Sequence, residues 1–125
     1  MKDLVIIARD CFEAYVRKDR KAIEQLIDED FHFTSPLDNR IDRVTYFERC
    51  WPNSQHITKF EFTRILTHGD QVIVTYMGSK TSGEGFRNTE ILTIRQAKIV
   101  EVDVFFGPTV PHQAPNEGSM WTRTD

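Results

Sequence analysis

The first part of the chain repeats apolar residues at intervals of three and four, which is the spacing of helices that bury one side. Residues 3–17 have such a stripe, and a shorter one follows Asp19, whose carboxylate can cap a second helix. A third helix is predicted to begin at Asp42, because Ile41 and Tyr46 stand at the positions of a hydrophobic staple. We therefore expect three helices in this part of the chain.

Alternation of apolar and polar residues predicts the strands. Residues 31–35 form the first alternating segment, between the second and third helices. Four longer segments follow the third helix, at residues 59–67, 71–79, 86–95 and 99–106. Tight turns between them favour an antiparallel meander. Helices that lead the chain and pack on one face of a curved sheet make an α+β fold, with an apolar cavity between the two layers.

The pattern stops near Gly107, after which three prolines occur without periodicity. We predict one domain at residues 1–107, followed by an extended or poorly ordered tail at 108–125.

Composition and charge exclude several classes of partner. The net charge is −3 and the basic residues form no stripe, so we expect no nucleic-acid binding. The longest purely apolar run is LVIIA at residues 4–8, which predicts neither a membrane span nor a signal peptide. The only cysteines, Cys11 and Cys50, are expected to be free thiols in a reducing cytoplasm.

Glu90 is the most informative polar residue, because it alternates in register with apolar neighbours in FRNTEILTI. A carboxylate on such a face must find donors or have a raised pKa, and a protonated carboxyl group can act as a general acid or base. The alternatives are a pairing with Arg87 or a helix residue, or a bulge that turns Glu90 outward. The face predicted to turn toward the helices consists of Phe31, Phe33, Ser35, Asn88, Glu90, Leu92, Ile94, Val100, Val102, Val104 and Phe106.

Other polar and aromatic candidates have both a structural and a functional interpretation. Ser35 and Asp38, in TSPLDN, can shape a turn or supply polar contacts at the mouth of a cavity. Tyr15, Tyr46 and Tyr76 can pack in the core or orient a ligand through their hydroxyl groups. Trp51 is expected to be a core or lid aromatic residue. The four histidines lie far apart in the sequence, so we predict no metal site.

The element order resembles that of the nuclear transport factor 2-like superfamily, in particular its SnoaL-like and ketosteroid-isomerase-like small proteins. The segments that resemble it are CFEAYVRKDRKAIEQLIDEDFHFTSP, FRNTEILTI and IVEVDVFFG, and the resemblance covers most of residues 3–107. It implies a cone-shaped, cystatin-like scaffold in which a curved antiparallel sheet wraps around three N-terminal helices. That scaffold hosts isomerases, cyclases, epoxide hydrolases, dehydratases and non-enzymatic binders.

The resemblance also implies roles for single positions. Ketosteroid isomerases hold a base aspartate before the proline that ends the first strand, and Ser35 occupies that position here. Their helix-one tyrosine aligns with Cys11, with Tyr15 one turn later, and their protonated aspartate aligns on or next to Glu90. Since a serine occupies the position of the base, Asp38 would have to act as the base instead, approaching the ligand from a different side of the cavity. The superfamily's outer sheet face often forms a dimer, for which the candidates are Ile91, Arg95, Glu101, Asp103 and Phe105.

We therefore predict an enzyme without metal or cofactor that acts on a small apolar molecule with a carbonyl group or ring. Glu90 and Asp38 are the predicted catalytic residues. The predicted ligand contacts are Tyr15, Phe33, Ser35, Tyr46, Trp51, Tyr76, Asn88 and Phe106. The alternative is a non-catalytic ligand-binding or dimeric interaction domain with the same cavity.

Overall fold

Each of the three helices begins at an aspartate whose carboxylate accepts a backbone N–H of the first turn. In the computed structural model, which describes residues 3–114, Asp3 caps the first helix with a 2.7 Å bond, a position that the sequence pattern had not singled out. Asp19 and Asp42 cap the second and third as predicted, at 3.1 and 2.9 Å. The helices are α1 at Leu4–Arg17, α2 at Arg20–Leu26 and α3 at Arg43–Arg49.

The rest of the fold is one six-stranded sheet in the order β2-β1-β6-β5-β4-β3. Its strands are β1 at Ile27–Ser35, β2 at Asp38–Asp42, β3 at Ile57–His68, β4 at Gln71–Lys80, β5 at Gly85–Arg95 and β6 at Lys98–Val110. The helices pack on one face of this curved, unclosed sheet, so the predicted α+β cone fold is confirmed. One pairing departs from a purely antiparallel sheet, because β1 runs parallel to β6.

Three local features differ from the sequence prediction. β1 begins at Ile27, and its continuation β2 was missed because DNRID has too few apolar residues to show alternation. A short 3-10 helix at Trp51–His56 follows α3. β6 runs past the predicted domain boundary at residue 107 to Val110. The boundary itself stays a prediction, and residues 115–125 of the predicted tail lie outside the described residues.

The core lies between the helices and the inner face of the sheet. Ile7 and Ile23 of the helices are fully buried there, as are Val72 and Ile99 of the sheet. The prediction that Val100 faces inward is wrong. A bulge between Thr93 and Ile94 shifts the register on β6, so that Ile99 takes the inward position and Val100 lies among the outer-face residues.

No helix within residues 3–114 is long and apolar enough to cross a membrane.

Candidate functional site

A cavity of about 600 Å³ lies between the helices and the inner face of the sheet. That volume lies within the range of small-molecule sites. Its walls include six phenylalanines from α1 and from the strands of the sheet: Phe12, Phe31, Phe33, Phe60, Phe86 and Phe106. Leu37 and Arg49, whose side chains are well exposed, mark the edge that we call the rim. Such a cavity favours an apolar ligand with few polar groups.

Glu90 lies on this wall because strand pairing places it between two inward-facing valines, Val74 of β4 and Val104 of β6. Its Oε2 accepts a hydrogen bond of 2.5 Å from the Tyr76 hydroxyl. The Asn88 Nδ2 in turn donates to the Tyr76 oxygen at 3.2 Å. Among the residues that the structure describes, none donates to Oε1 and none forms an ion pair with Glu90. One carboxylate oxygen is therefore left for a ligand.

Burial raises the pKa of Glu90 to about 7, and the Tyr76 hydrogen bond lowers it only in part. Both protonation states of this carboxyl group are then populated at neutral pH, which is the condition for a general acid or base. The alternative of a pairing with Arg87 does not hold, since the Arg87 side chain is exposed and lies on the other face of the strand. The β5–β6 ladder is irregular between Phe86 and Asn88 and between Thr93 and Ile94, but Glu90 pairs regularly with Val74 and Val104 and stays on the cavity wall.

Tyr76 packs beside Glu90 in edge-on contact with three phenylalanines, of which Phe12 and Phe60 are the nearer two and Phe86 lies at 6.3 Å. The Tyr76 ring centroid lies 4.9 Å from that of Phe12 and 5.1 Å from that of Phe60. Burial, and then the charge and hydrogen bond of Glu90, raise the pKa of Tyr76. The phenol therefore stays protonated and acts as a fixed hydrogen-bond donor to the carboxylate.

A second polar group in the cavity is the hydroxyl pair of Tyr15 on α1 and Tyr46 on α3, which are hydrogen-bonded to each other. Burial raises the pKa of Tyr15 and of Tyr46, so both stay protonated. When one hydroxyl donates to the other, the accepting hydroxyl keeps its own proton for another acceptor. The charge of Glu90 also raises both pKa values, which places the pair in the electrostatic field of that carboxylate. A ligand oxygen near Glu90 can thus meet a phenol donor.

The third polar group lies at the rim, where β1 turns into β2. The Ser35 hydroxyl donates to Asp38 Oδ2 at 2.8 Å and accepts the Leu37 N–H at 3.0 Å. Arg49 of α3 brings its Nη2 to 2.8 Å from Asp38 Oδ1. The Cys50 thiol lies 3.9 Å from Asp38 Oδ2. Ser35 thus shapes the turn, as the sequence suggested, and it also holds a carboxylate against the cavity.

The two cysteines are free and both line the cavity. Burial is the largest cause that raises the pKa of Cys11, and the charge of Glu90 adds to it. The pKa of Cys50 is raised to about 12 by burial and by Asp38, although Arg49 acts in the opposite direction. Neither thiol is ionised at neutral pH, so neither is an activated nucleophile.

All but one of the residues predicted to form the site line the cavity: Tyr15, Phe33, Ser35, Asp38, Tyr46, Tyr76, Asn88, Glu90 and Phe106. Trp51 does not line it, because its ring packs edge-on behind Tyr15 at 5.0 Å and against Phe47 at 6.4 Å. Arg49 was not predicted from the sequence. No local pattern links it to Asp38, although its place in the last turn of α3 is typical of a basic residue at a helix C-terminus.

Within residues 3–114, no three His, Cys, Asp or Glu side chains come close enough together to hold a metal ion.

Comparison with solved structures finds the same fold in proteins of low sequence identity. A candidate ketosteroid isomerase from Kribbella flavida DSM 17836 superposes with a TM-score of 0.73 and 18% identity, over 98% of this chain and 88% of the other. An NTF-2 like protein from Burkholderia xenovorans LB400 has a TM-score of 0.69 and 21% identity, over 98% and 94%. An LEH-like epoxide hydrolase of M. tuberculosis has a TM-score of 0.71 and 14% identity, over 83% and 82%.

A comparison with functionally curated proteins finds no match. The sequence itself matches the SnoaL-like domain over residues 8–102, which is most of the chain. The resemblance drawn from the sequence segments is thus confirmed: the protein belongs to the SnoaL-like domain family, and its fold is that of nuclear transport factor 2-like proteins.

Proposed function

We propose that the protein is a cofactor-independent enzyme that uses Glu90 to transfer a proton to or from a small apolar molecule with a carbonyl group or ring. The observation that carries this proposal is the environment of the Glu90 carboxyl group. It faces an aromatic cavity, its one hydrogen-bond donor among residues 3–114 is the Tyr76 hydroxyl, and no cation pairs with it there. Isomerisation, cyclisation and hydrolysis all use such a group.

The polar groups of the cavity fit a proton transfer next to a carbonyl group. The ionised Glu90 removes a proton from the carbon adjacent to the carbonyl, and the electron pair moves onto the carbonyl oxygen. The free hydroxyl proton of the Tyr15–Tyr46 pair stabilises that oxyanion by hydrogen bonding. Tyr76 holds one oxygen of Glu90 in place, so that the other oxygen faces the ligand. The protonated Glu90 then returns the proton to the same or another carbon.

Structural relatives support this class of chemistry without specifying the reaction. One is described as a candidate ketosteroid isomerase and another as an LEH-like epoxide hydrolase. At their low identity these similarities concern the fold. Ser35 stands where the resemblance places the base of an isomerase, and a serine hydroxyl does not relay a proton between carbons. The proposal therefore rests on Glu90 as the proton-transferring group.

Hydrogen–deuterium exchange tests the proposal without knowledge of the substrate. The ketone 2-tetralone has two fused rings and acidic protons beside its carbonyl group, and exchange in D₂O can be followed by NMR. The wild-type protein is expected to accelerate the exchange above the buffer rate. Glu90→Gln should reduce the enzymatic rate about 10²- to 10⁴-fold, the usual contribution of a general base. Glu101→Gln, which changes a carboxylate near the outer-face pocket, should leave the rate unchanged.

The pH dependence of the exchange is a second readout. Since the base form of Glu90 is required, the rate should rise with pH through the pKa of about 7 and level off above it. An exchange rate in Glu90→Gln equal to that of the wild type contradicts the proposed function.

The alternative is a binding protein with the same cavity. One observation favours it: Asp38, the other carboxylate of the cavity, is already paired with Arg49 and is not available as a second base. Binding of 2-tetralone by calorimetry, together with exchange at the buffer rate, would support this alternative.

We further propose that the protein is a cytoplasmic homodimer. Support for the dimer comes from Phe105, which is 55% exposed beside Asp103 on the outer side of β6. Both cysteines are free thiols, in keeping with a reducing compartment. Light scattering should give twice the mass of the chain for the wild type and the mass of one chain for Phe105→Glu, and a monomeric wild type contradicts the dimer.

A further inference from the structure

One carboxylate oxygen at the rim is buried and has no hydrogen-bond donor among residues 3–114. The Asp38 side chain is only 8% exposed, and its Oδ1 lies 2.8 Å from Arg49 Nη2. This contact counts as an ion pair, and within the described part of the chain Oδ1 accepts no hydrogen bond. Oδ2, in contrast, accepts the Ser35 hydroxyl at 2.8 Å. Because a buried carboxylate oxygen normally accepts a donor, a ligand donor that enters beside the exposed Arg49 side chain would satisfy Oδ1.

The position of this oxygen relative to Glu90 follows from the strand pairing. Thr34 of β1 pairs with Asp103 of β6, which places Ser35 beside Val104. Val104 pairs on its other side with Glu90 of β5. Ser35 and Glu90 are thus two strand spacings apart, about 10 Å between their backbones. The cavity therefore has two polar ends, at Glu90 and at Asp38, with an apolar wall between them.

The charges at the rim favour a neutral donor. A ligand cation at Asp38 would be repelled by the adjacent Arg49, and a ligand anion would be repelled by Asp38 itself. A hydroxyl group carries a proton for Oδ1 and an oxygen that can accept from the half-exposed guanidinium group. This combination complements both members of the pair.

We propose that Asp38 is a specificity-determining residue, which binds a hydroxyl group at the end of the ligand that is distant from its reacting carbonyl group. The ligand class is then an apolar, ring-containing hydroxyketone with about the span of two fused rings. The assignment of the carbonyl end rests on the proposed function of Glu90. The hydroxyl end rests on Asp38 alone.

Three tetralones test the hydroxyl end by calorimetry: 6-hydroxy-2-tetralone, 6-methoxy-2-tetralone and 2-tetralone. The methoxy compound keeps the oxygen but has no proton to donate. Wild-type protein is expected to bind the hydroxy compound at least about tenfold more tightly than the methoxy compound, as for a hydrogen bond to a charged acceptor. In Asp38→Asn this preference should fall below about threefold, because a neutral amide oxygen is a weaker acceptor.

Control variants separate this effect from a general loss of structure. Asp103→Asn, the same change on the outer face, should keep the full preference. Ser35→Ala removes the donor that positions Asp38, so it should reduce the preference as well. If Asp38→Asn does not fold, Ser35→Ala carries the test alone.

The proposed role of Glu90 in proton transfer and the proposed role of Asp38 in binding can be disproved independently. Glu90→Gln should lose proton exchange but keep the preference for the hydroxy compound, whereas Asp38→Asn should lose that preference and Asp103→Asn should keep both. Equal affinities of wild-type protein for the hydroxy and methoxy compounds overturn the role of Asp38, as does failure to bind the hydroxy compound. An undiminished preference in both Asp38→Asn and Ser35→Ala overturns it as well.

Discussion

Glu90 and Asp38 are carboxylates of one cavity, but their partners differ in charge. Glu90 lies on the sheet between two valines, and its partner is the neutral hydroxyl of Tyr76. Asp38 lies at the rim and is paired with the guanidinium group of Arg49. Both side chains are largely removed from water, so burial alone does not distinguish them.

The roles proposed for the two residues, proton transfer for Glu90 and binding for Asp38, follow the charge of the nearest partner more than depth in the cavity. A buried carboxylate without a cation has a raised pKa and exchanges its proton near neutral pH. Asp38 is instead held by the Arg49 guanidinium group and the Ser35 hydroxyl, and a carboxylate fixed in this way is suited to accept a hydrogen bond. The following four predictions test this contrast.

Glu90→Gln is expected to stabilise the fold at about pH 8 by on the order of 3 kcal/mol. The pKa of Glu90 is about 7 in the folded protein, against 4.5 for an ordinary glutamate, so wild-type stability decreases as the pH rises through this window. Glutamine carries no charge to bury and can still accept from Tyr76. Urea unfolding at about pH 4 and pH 8 measures the effect, which should disappear at the lower pH. A difference that is independent of pH contradicts the assigned environment.

Asp38→Asn is expected to have the opposite sign, destabilising the fold by about 2 kcal/mol at pH 8. The substitution removes the charge that pairs with Arg49 and weakens the acceptor for Ser35. Urea unfolding of Asp38→Asn and wild-type protein at about pH 4 and pH 8 measures this loss of stability. If both carboxylate variants shift stability in the same direction, the contrast between the two sites is wrong.

Tyr76→Phe is expected to move the pH dependence of proton exchange upward and to cost about 1 kcal/mol of stability. The Tyr76 hydrogen bond lowers the pKa of Glu90, so its removal lets burial raise that pKa further. The midpoint of the exchange rate against pH is the measurement. Thr89→Val is the control, because it removes a 2.9 Å hydroxyl contact with Thr75 and leaves the Tyr76–Glu90 bond in place. A midpoint that moves downward contradicts the prediction.

Asp103→Asn is expected to change stability by less than about 0.5 kcal/mol and to leave both binding and exchange unaffected. Asp103 lies on the outer face of β6, away from the cavity. Unfolding and calorimetry of this variant provide the baseline for the two cavity carboxylates. A large loss of ligand binding in Asp103→Asn would mean that a change on the outer face of the sheet alters the structure of the cavity.

Part of the site was predictable because its signals are local. Glu90 was recognised from its alternation with apolar neighbours, and the structure places it on the inner face with them. Alternation gave the wrong face for Val100, because a bulge changes the register of β6 at that point. No residue pattern near Val100 indicates that bulge. Alternation is reliable only as long as the ladder is regular.

The sequence by itself determined the helix starts at Asp19 and Asp42, the long strands and the presence of a carboxylate on an apolar face. These follow from capping and periodicity, which act over a few residues. Only the tertiary structure decided that β1 runs parallel to β6, that Tyr15 bonds to Tyr46, and that Arg49 pairs with Asp38. Each of these contacts joins separate elements, and the charge of the partner that each carboxylate meets depends on how those elements pack.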